Sequence, residues 1–423
     1  MRSQSHLLVR ATCVVFFLFL LPVRGDEPSR NADRVRAWQD DLDVLARVIR
    51  EKHKNPFTKV TKAQFDEAVA RVRETIPGLQ DHQILVEFLK LTALLGDGHT
   101  TVGPGKEGRR FRSLPIGLVW TKDGLYVAVT TPEFKDLLRH RVVGIGTSSL
   151  DTAIPLVAGL SAAENESGRR DAVRRWITRP EALHALGLIE DMENVPVALV
   201  NGSEEKQVVR LAPLPATGQP KLVFAIDPQK KDLPVSLRSS RDRYGFERLA
   251  DTKSLYCWYD SCANVPGRPV SAWCKDVLAQ IDSQPPVRVI IDLRRNGGGD
   301  SALAQPLIRD LRRRPAINQK GKLFVLIGPG TYSSAMQNAL ELRQGTHAIL
   351  IGLPTGGSPN AFGEIKFVEM PHSKWMVQYS TKYFQGTRDG ATSVAPDIEV
   401  EPTAAEYFSG RDPVLITALE YQP

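Results

Sequence analysis

Residues 287–300 read VRVIIDLRRNGGGD, and this stretch decides the fold of the chain. Its first eight residues form a nearly continuous apolar run, which is typical of a strand that is covered on both faces. Two further runs of the same kind are KLFVLIG at 322–328 and HAILIG at 347–352. Such strands in alternation with helices predict an α/β core with a parallel component, which we place at residues 236–423.

A helix is predicted from Ser334 to about Arg343, ending at Gly345. Ser333 comes just after an apolar strand and a Gly-Pro-Gly turn, and it opens this helix. Its hydroxyl is therefore expected near a helix N-terminus, where free N–H groups and the helix dipole favour developing negative charge. Ser333 is our candidate nucleophile. Ser334 is the alternative nucleophile, and an ordinary helix-capping serine is the alternative role.

The loop Arg295–Gly299 carries three consecutive glycines directly after the first strand. Backbone without side chains lets N–H groups point at a ligand oxygen. A phosphate-binding loop is one explanation for such a segment. A P-loop would need a Lys-Ser/Thr pair after the glycines, and the sequence has none there, which argues against a nucleotide site.

Residues 33–105 are predicted to form an N-terminal helical unit, because apolar residues recur at helical spacing in three successive stretches. The stripes consist of Val35, Trp38, Leu42, Leu45 and Ile49; of Phe65, Val69, Val72 and Ile76; and of Ile84, Leu85, Phe88, Leu89, Leu91, Leu94 and Leu95. Thr61 and Gln64 predict a capping box before the second helix, and Asp81 is expected to cap the third. The third helix stops at Gly96, in the sequence GDGHT.

Residues 110–215 are predicted to form a small mixed domain. Short runs of alternating polarity occur at 124–131 and 206–213, and an Asn-Gly pair just before the second run is a hairpin-turn signal. A charged, helical stretch around residues 160–190 lies between the two runs. Strands and helices are thus expected to alternate in this part of the chain as well.

The first 25 residues have the layout of a secretory signal peptide. Arg2 and Arg10 precede an apolar run of thirteen residues at 11–23, and the small Gly25 comes before a polar stretch. A membrane span needs roughly 20 apolar residues, so an uncleaved anchor is the less favoured alternative. We expect export to the periplasm or the extracellular space, with no stable membrane span after the signal at residues 1–25 is cleaved.

Composition excludes several classes of function. The 423 residues suffice for two or three domains, and 42% hydrophobic with 24% charged residues is typical of a soluble globular protein. Loss of residues 1–25 removes three arginines and no acidic residue, so the formal net charge falls from +7 to +4. Nucleic-acid binding needs a concentrated basic face and is not expected. No two of the eight histidines lie three or four residues apart, so we expect neither a metal nor an organic cofactor.

Three cysteines remain once Cys13 leaves with the signal peptide. In an oxidising compartment one pair can form a disulfide, most simply Cys257 with Cys262. The alternative is that these two and Cys274 are three small buried thiols. None of them stands beside a histidine in the sequence, so a catalytic cysteine is not favoured.

Five motifs stand in a fixed order along the chain. They are GDGHT (96–100), IDLRRNGGGD (291–300), GPGTYSSAMQNAL (328–340), GLPTGGSPNAFGE (352–364) and VAPDIEV (394–400). Together they strongly resemble the C-terminal-processing (tail-specific) peptidase family. The resemblance covers most of the chain. It implies an α+β multidomain protein: a helical N-terminal unit, a PDZ-like domain, and a catalytic core of mixed sheet flanked by helices, with crotonase-like or ClpP-like layering.

The resemblance also implies roles for individual residues and a polypeptide as substrate. It aligns the nucleophile with Ser333. The N–H near Gly297 or Gly298 then joins the N–H of Ser334 in an oxyanion hole, which stabilises the tetrahedral intermediate. In the PDZ-like domain, VVGIG is similar to the central strand and SLDTAIPLV to the helix beside the peptide groove, where an extended peptide would bind by strand addition.

The sequence departs from the tail-specific branch at one position. Those enzymes use a Ser–Lys dyad, and Ser358 occupies the place of the lysine. A serine cannot act as a general base. The tricorn core has a histidine at the place of His99 and uses it as the base, and an imidazole with an ordinary pKa of about 6.5 suits that role. The chain thus resembles the tricorn-core-like branch, although His99 can also be a simple turn histidine.

The acid that would orient His99 is less well defined. In the tricorn core a glutamate precedes the segment that here includes VAPD. Asp389 stands near that place, but the spacing differs by one residue and the acid is aspartate. Glu364 is the other candidate. Asp97 and Asp292 are interpreted as structural.

These observations predict an exported serine peptidase that forms an acyl-enzyme. Two other classes stay open. One is a non-catalytic ligand-binding or peptide-binding relative of the same fold, as the vertebrate retinoid-binding relatives are. The other is an esterase that uses the same Ser–His pair. The sequence leaves the substrate, the cleavage preference and the oligomeric state open.

Overall fold

The computed structural model describes residues 27–238 and 242–422, so the predicted signal peptide at 1–25 lies outside the described residues. Within these ranges, none of the helices combines the length and the apolar character that a membrane crossing requires. The α-helices are α1 (Glu27–Lys52), α2 (Lys62–Thr75), α3 (Asp81–Ala93), α4 (Leu150–Ala158), α5 (Glu166–Trp176), α6 (Pro180–Ala185), α7 (Val270–Ser283), α8 (Gln305–Arg312), α9 (Ser334–Gly345), α10 (Ala404–Phe408) and α11 (Pro413–Glu420). The strands are β1 (Thr101–Pro104), β2 (Ile116–Thr121), β3 (Gly124–Thr130), β4 (Arg141–Ile145), β5 (Ser148–Ser149), β6 (Val195–Val200), β7 (Lys206–Leu211), β8 (Val223–Phe224), β9 (Tyr244–Leu249), β10 (Ser254–Tyr259), β11 (Val289–Asp292), β12 (Leu323–Ile327), β13 (Ile349–Gly352), β14 (Asn360–Glu369), β15 (Trp375–Gln385) and β16 (Ile398–Glu399).

The three predicted N-terminal helices are α1, α2 and α3, and their apolar stripes pack into one buried cluster. The capping box is present, because the side chain of Thr61 accepts from the N–H of Gln64 and the Gln64 side chain accepts from the N–H of Thr61. The prediction for Asp81 is wrong, since α3 begins at this residue and Gln80 is its N-cap. The Asp81 carboxylate instead accepts hydrogen bonds from side chains of α1.

A distant hairpin completes the core under these helices. β14 and β15 pair antiparallel and β1 adds to β15, which gives the sheet order β1-β15-β14. Met370 and Trp375 from the hairpin lie in the same buried cluster as the helix stripes. In the turn of the hairpin, the N–H groups of His372 and Ser373 each donate to the carboxylate of Asp41 at 2.8 Å. The N-terminal helices are thus joined to the C-terminal third of the chain.

The segment predicted as a mixed domain contains an antiparallel sheet with the order β2-β3-β4-β6-β7. The segment expected as its central strand is β4, and the helix expected beside it is α4. The predicted hairpin is confirmed as β6 and β7. Two further helices, α5 and α6, fall in the charged stretch that was expected to be helical. The boundaries of the predicted domains, 33–105, 110–215 and 236–423, stay predictions.

The C-terminal sheet confirms the predicted α/β core. Its strand order is β16-β13-β12-β11-β10-β9, and all neighbours pair in parallel except β9 and β10. Helices α7, α8 and α9 pack on one face in a buried cluster around Trp273, and α11 packs on the other face beside Phe324. Because helices cover both faces, the central strands are buried and almost wholly apolar, as the sequence pattern predicts, with Asp292 at the end of β11 as the charged exception.

The parallel strands bring three loops to one edge of the sheet. The glycine loop follows β11, the loop with Ser333 follows β12, and the loop with Ser358 follows β13. In open parallel sheets ligands bind at the carboxyl ends of the strands, because the connecting loops meet there. The fold alone therefore predicts that these three loops form one site.

A buried ion-pair cluster supports the start of the glycine loop. The guanidinium of Arg294 donates to Asp292 at 2.7 Å and to Asp412 at 2.8 Å. Burial alone would raise the pKa of Asp292, but Arg294 and the Tyr256 hydroxyl outweigh it and lower that pKa to about 2. The cluster joins β11 to α11, and the interpretation of Asp292 as structural agrees with these contacts.

The cysteines are free thiols in the structure. Cys257, Cys262 and Cys274 are all buried and unbridged, so the proposed Cys257–Cys262 disulfide is not formed. Cys257 lies in β10 inside the core, while the Cys262 thiol is directed at the Asn296 amide at 3.5 Å. Burial raises the pKa of Cys262 and of Cys274 to about 11, which keeps both protonated at neutral pH and argues against a thiolate nucleophile.

We expect Arg294→Ala to lower the free energy of unfolding by about 3–5 kcal/mol, because two buried carboxylates lose their shared partner. Urea denaturation at pH 7 followed by tryptophan fluorescence measures the change. Arg309→Ala is the control, since this arginine is exposed on α8. Equal stability of the two variants would contradict the structural role of the cluster.

Candidate active site

Ser333 has an unusual backbone conformation. Its φ is 50° and its ψ is −125°, in a region that residues with a Cβ rarely occupy. Such strain costs about 1–3 kcal/mol and is concentrated at functional sites. The side chain does not cap α9, and among the described residues its hydroxyl has no hydrogen-bond partner. The role of an ordinary helix cap therefore does not fit, and the hydroxyl is free to react.

Ser334 differs from its neighbour in this respect. Its hydroxyl donates to the carbonyl of Gly299 at 2.6 Å, and the residue is 7% exposed. The hydroxyl thus holds the end of the glycine loop against α9. The N–H of Ser334 has no acceptor in the part of the chain that the structure describes. Of the two serines, Ser333 offers a free hydroxyl and Ser334 a free N–H.

The glycine loop lies directly against Ser333. A Cβ on Gly298, which has a φ of +107°, would come within 2.7 Å of the Ser333 Cβ and 3.0 Å of the Ser334 nitrogen. Only glycine permits this approach. The N–H of Gly298 donates to the side-chain oxygen of Asn296 at 2.9 Å, whereas the N–H of Gly297 has no acceptor within the described ranges. The loop therefore presents Gly297 rather than Gly298 as a free donor.

Asn296 is a residue whose importance the sequence analysis missed. It is fully buried, its amide nitrogen donates to the carbonyl of Tyr259 at 2.7 Å, and its backbone carbonyl accepts from the N–H of Tyr332 at 3.0 Å. These bonds connect β10, the glycine loop and the Ser333 loop. The signal available in the sequence was an asparagine directly before three glycines and close after an apolar strand.

His99 lies in the turn after α3, with its side chain 12% exposed. Its ring stacks on Tyr332 with 4.8 Å between the ring centroids, and the Tyr332 hydroxyl lies 3.4 Å from Nδ1. The other nitrogen, Nε2, is buried and has no partner among the residues that the structure describes. Burial lowers the pKa of His99, although the charge of Asp97 partly opposes this shift. The imidazole is therefore neutral at pH 7 and able to accept a proton.

Asp97 anchors the turn that carries His99. Its carboxylate accepts hydrogen bonds from His53 at 2.9 Å, from Thr100 at 2.5 Å and from Ser380 at 2.7 Å, and it also accepts from the N–H of His99. Burial opposes ionisation, but these hydrogen bonds hold the pKa of Asp97 below its usual range. The residue is an ionised structural anchor, which agrees with its interpretation from the sequence.

Ser333 and His99 line the same cavity, which has a volume of about 790 Å³ and also exposes Gly297. A smaller cavity of about 430 Å³ lies against the same histidine and is lined by Tyr332 and Arg295 as well. The fold thus brings together residues that are far apart in the sequence. No hydrogen bond joins Ser333 to His99 in the described chain.

The two acids named from the sequence do not contact His99. Asp389 lies exposed in a surface turn, where it accepts from the N–H of Ala391 at 3.0 Å, and it lines neither cavity. Glu364 lines the larger cavity, but it is exposed and makes no hydrogen bond to the imidazole. The structure therefore gives neither carboxylate an orienting contact with His99.

Glu164 is the acid that the sequence analysis did not name. It follows α4 and lines both cavities. One of its carboxylate oxygens, an oxygen of Asp97 and a nitrogen of His99 lie within 4.8 Å of one another. Burial raises the pKa of Glu164 to about 7. The segment around it, LSAAENES, carries no motif, so its approach to His99 could be found only in three dimensions.

Ser358 stands where the resemblance places a lysine. Its N–H donates to Glu164 at 2.6 Å, and its hydroxyl donates to the carbonyl of Asn360 at 3.2 Å. The residue therefore has a structural role in its loop. The three grouped side chains, Asp97, His99 and Glu164, are close enough to suggest a metal site, but the Asp97 oxygens already accept four hydrogen bonds and are not available as ligands.

No family model matches the sequence, and no curated protein matches it. Among solved structures, the chain is similar to mature CPAF, with a TM-score of 0.63, 13% identity, and coverage of 91% of this chain and 98% of that one. It is similar to mature CPAF complexed with lactacystin, with a TM-score of 0.62, 13% identity, and coverage of 91% and 99%. The tricorn protease is also found, at a TM-score of 0.42, 15% identity, and coverage of 91% and 36%. At such identities the likeness to CPAF establishes the fold, and it confirms the multidomain α+β architecture that the motifs imply.

Glu164→Gln is expected to raise stability at pH 8. An unfolded glutamate has a pKa near 4.5, but burial in the folded protein raises the pKa of Glu164 to about 7. Between these two pH values the folded state binds a proton that the unfolded state has lost, so the free energy of unfolding falls as the pH rises. Glutamine has no such proton, and its oxygen can still accept from Ser358. The stability difference between variant and wild type, measured by urea denaturation at pH 5 and pH 8, should grow by about 1–3 kcal/mol. A difference that does not change with pH would contradict the raised pKa.

Proposed function

We propose that this chain is an exported serine peptidase that cleaves peptide bonds through an acyl-enzyme. The observation that carries the proposal is Ser333, whose hydroxyl is free, whose backbone is strained, and whose Cβ lies against the glycine loop. A neutral, buried His99 lines the same cavity. The likeness of the fold to mature CPAF is compatible with this chemistry.

The proposed oxyanion hole consists of the N–H groups of Gly297 and Ser334. Both lack acceptors among the described residues, whereas the N–H of Gly298 is bonded to Asn296. The N–H of Ser334 belongs to the first residue of α9, where the helix dipole adds to the attraction for negative charge. One such donor is worth roughly 3 kcal/mol of transition-state stabilisation.

The proposed base is His99. For Nε2 to accept a proton, Nδ1 must carry the other one, and the Tyr332 oxygen at 3.4 Å from Nδ1 can accept it. Burial raises the pKa of Tyr332 well above its ordinary value, so its hydroxyl stays neutral and imposes no charge on the imidazole. Hydrogen bonds between catalytic groups often tighten only when a substrate is bound, so the bond between Ser333 and His99 is expected to form in the complex.

The reaction follows from these positions. Ser333 Oγ attacks the peptide carbonyl and transfers its proton to His99, while the oxyanion binds to the two free N–H groups. The protonated imidazole then donates the proton to the leaving amine. Water, activated by the same imidazole, attacks the acyl-enzyme and frees Ser333.

We propose an extended polypeptide as the substrate, since the PDZ-like segment at 110–215 supplies a sheet with α4 beside its central strand. Such a groove binds a peptide, plausibly at its C-terminal end, by strand addition. Export is proposed from the signal-like residues 1–25, which leads to a periplasmic or extracellular protein. No nucleic acid is proposed as a partner.

Two observations favour a second candidate. Ser333 and His99 are not hydrogen-bonded to each other within the described residues, and Ser358 replaces the family lysine. Both facts fit a non-catalytic protein that binds a ligand or peptide in the larger cavity. An esterase would use the same Ser–His pair, so turnover of peptides compared with esters separates it from a peptidase.

Labelling with a serine-reactive fluorophosphonate tests the nucleophile and the base. We expect the wild-type protein to be labelled, Ser333→Ala to be unlabelled, and His99→Ala to react about 10²–10⁴-fold more slowly because it lacks the base. Ser283→Ala and His347→Ala are matched controls, since both residues are exposed and distant from the cavity. An unlabelled wild type would favour the non-catalytic binder. Unchanged labelling of His99→Ala would exclude His99 as the base.

The pH dependence of labelling is a separate prediction. His99 must be neutral to accept the proton, so the rate should rise as the pH increases through the pKa of this histidine. Burial lowers that pKa below the ordinary value of 6.5, so the midpoint of this step should lie below pH 6.5. Rates measured between pH 4.5 and 9 at constant ionic strength provide the test. A rate that does not rise at all below pH 6.5 would contradict the assignment.

A further inference from the structure

Glu164 is held in place by the segment that follows α4. Its neighbour Asn165 uses its side-chain nitrogen to donate to the carbonyls of Thr355 at 3.1 Å and Thr392 at 2.7 Å. The Asn165 oxygen accepts from the N–H of Gly168 and caps α5. Because both ends of the Asn165 amide are bonded, the segment between α4 and α5 is fixed against the loops of the C-terminal sheet.

The Glu164 carboxylate connects the two loops that flank the candidate base. It accepts from the N–H of Ser358 at 2.6 Å, and the nearby N–H of Gly98 favours its ionised form. Gly98 precedes His99 directly, and a Cβ at Gly98 would lie 3.4 Å from a Glu164 oxygen and 2.3 Å from the Tyr332 hydroxyl. The carboxylate, the imidazole and the phenol are therefore packed around one glycine.

Glu164 has no cationic partner among the described residues. Burial is the largest cause of its raised pKa, and the charge of Asp97 adds to the shift. A largely buried carboxylate without a cation destabilises a fold, and such features persist where activity requires them. The cation that can compensate this charge is the imidazolium that forms when His99 accepts a proton.

The other charged groups near Glu164 and His99 are either engaged in contacts of their own or exposed. Asp97 uses both oxygens in hydrogen bonds, to His99 and Thr100 in its own turn and to His53 and Ser380 outside it. On the side of the smaller cavity, Arg175 is paired with Asp171 at 3.1 Å. Glu364 is exposed across the larger cavity.

Two cations also line these cavities. Arg295 lines the smaller cavity from the glycine loop, and Lys382 lines the larger one from β15; both are exposed. Neither is a source of the Glu164 pKa shift. The group near the Glu164 carboxylate that can become a cation is thus the imidazole, within 4.8 Å.

We propose that Glu164 is the positioning acid of this site: its carboxylate stabilises the protonated form of His99 while the proton of Ser333 is in transit. The inference rests on the proposed function. It assigns to Glu164 the task that the sequence analysis gave to Asp389 or Glu364. Glu164 acts through His99 and through the loops that it connects, and the proton itself moves only between Ser333, His99 and the leaving group.

This role has a distinctive pH dependence. Above about pH 7 Glu164 is ionised and attracts the imidazolium, whereas below that pH it is protonated and does not. Glu164→Gln mimics the protonated form at every pH. The ratio of the wild-type to the variant rate should therefore be near one at low pH and should increase as the pH passes 7.

The test is the second-order rate constant for labelling by a fluorophosphonate, measured on the full chain between pH 5.5 and 9. We expect the ratio of wild type to Glu164→Gln to be close to one at pH 5.5 and at least about tenfold at pH 8.5, because a charge within 5 Å of a partly buried imidazolium acts strongly on it. Glu164→Asp keeps the charge and should retain part of the increase. Glu166→Gln is the matched control, since that glutamate is exposed two residues away and pairs with Arg169.

The outcomes are distinguishable. A ratio that is large but constant with pH shows a purely structural role and overturns the inference, as does a ratio of one throughout. In both cases labelling of Ser333 leaves the proposed function intact. A wild-type protein that is not labelled at Ser333 overturns the proposed function and this inference with it. Thermal melting of each variant at pH 8 confirms that the compared proteins are folded.

Discussion

The wholly buried amide of Asn296 is the interaction on which the geometry of the site depends. It accepts from the N–H of Gly298, donates to the carbonyl of Tyr259, and through its own backbone carbonyl accepts from the N–H of Tyr332. One residue thereby joins the carboxyl ends of three adjacent strands. A buried amide that lost a partner would cost about 1–3 kcal/mol, so the loops are held as firmly as the sheet itself. The strained backbone of Ser333 is stable only within this frame.

His99 is anchored by a different network. The Asp97 carboxylate accepts from Thr100 in the same turn and from Ser380 in β15. The carbonyl of His99 accepts from the side chain of Gln378 at 2.7 Å. Ser333 and His99 thus belong to different parts of the fold, one in the parallel sheet and one in the helical unit with its hairpin. Their separation is set by how these parts pack, and Glu164 touches both.

Local patterns predicted much of this fold, because helix stripes, apolar strands and the hairpin signal depend on neighbouring residues. Ser333 could be found in the same way, since a strand, a glycine turn and a helix start are all local. The acid could not, because the approach of Glu164 to His99 depends on the docking of a segment without a motif. The sequence left the cysteines open between a bridge and three buried thiols, because spacing alone cannot decide, and the fold directs Cys257 into the core and Cys262 toward Asn296.

Three unfavourable features of the molecule share one cavity. The positive φ of Ser333, the unpartnered Nε2 of His99 and the cation-free carboxylate of Glu164 each oppose stability, and all three residues line one cavity. Positive φ angles and unpartnered buried atoms also occur singly elsewhere in the described chain, but three such features in one cavity are typical of a functional site. A protein that only bound a ligand would not need a strained, free hydroxyl in the same cavity as a neutral imidazole. Acyl transfer needs both, since the hydroxyl must reach a carbonyl carbon and its proton needs an unprotonated acceptor.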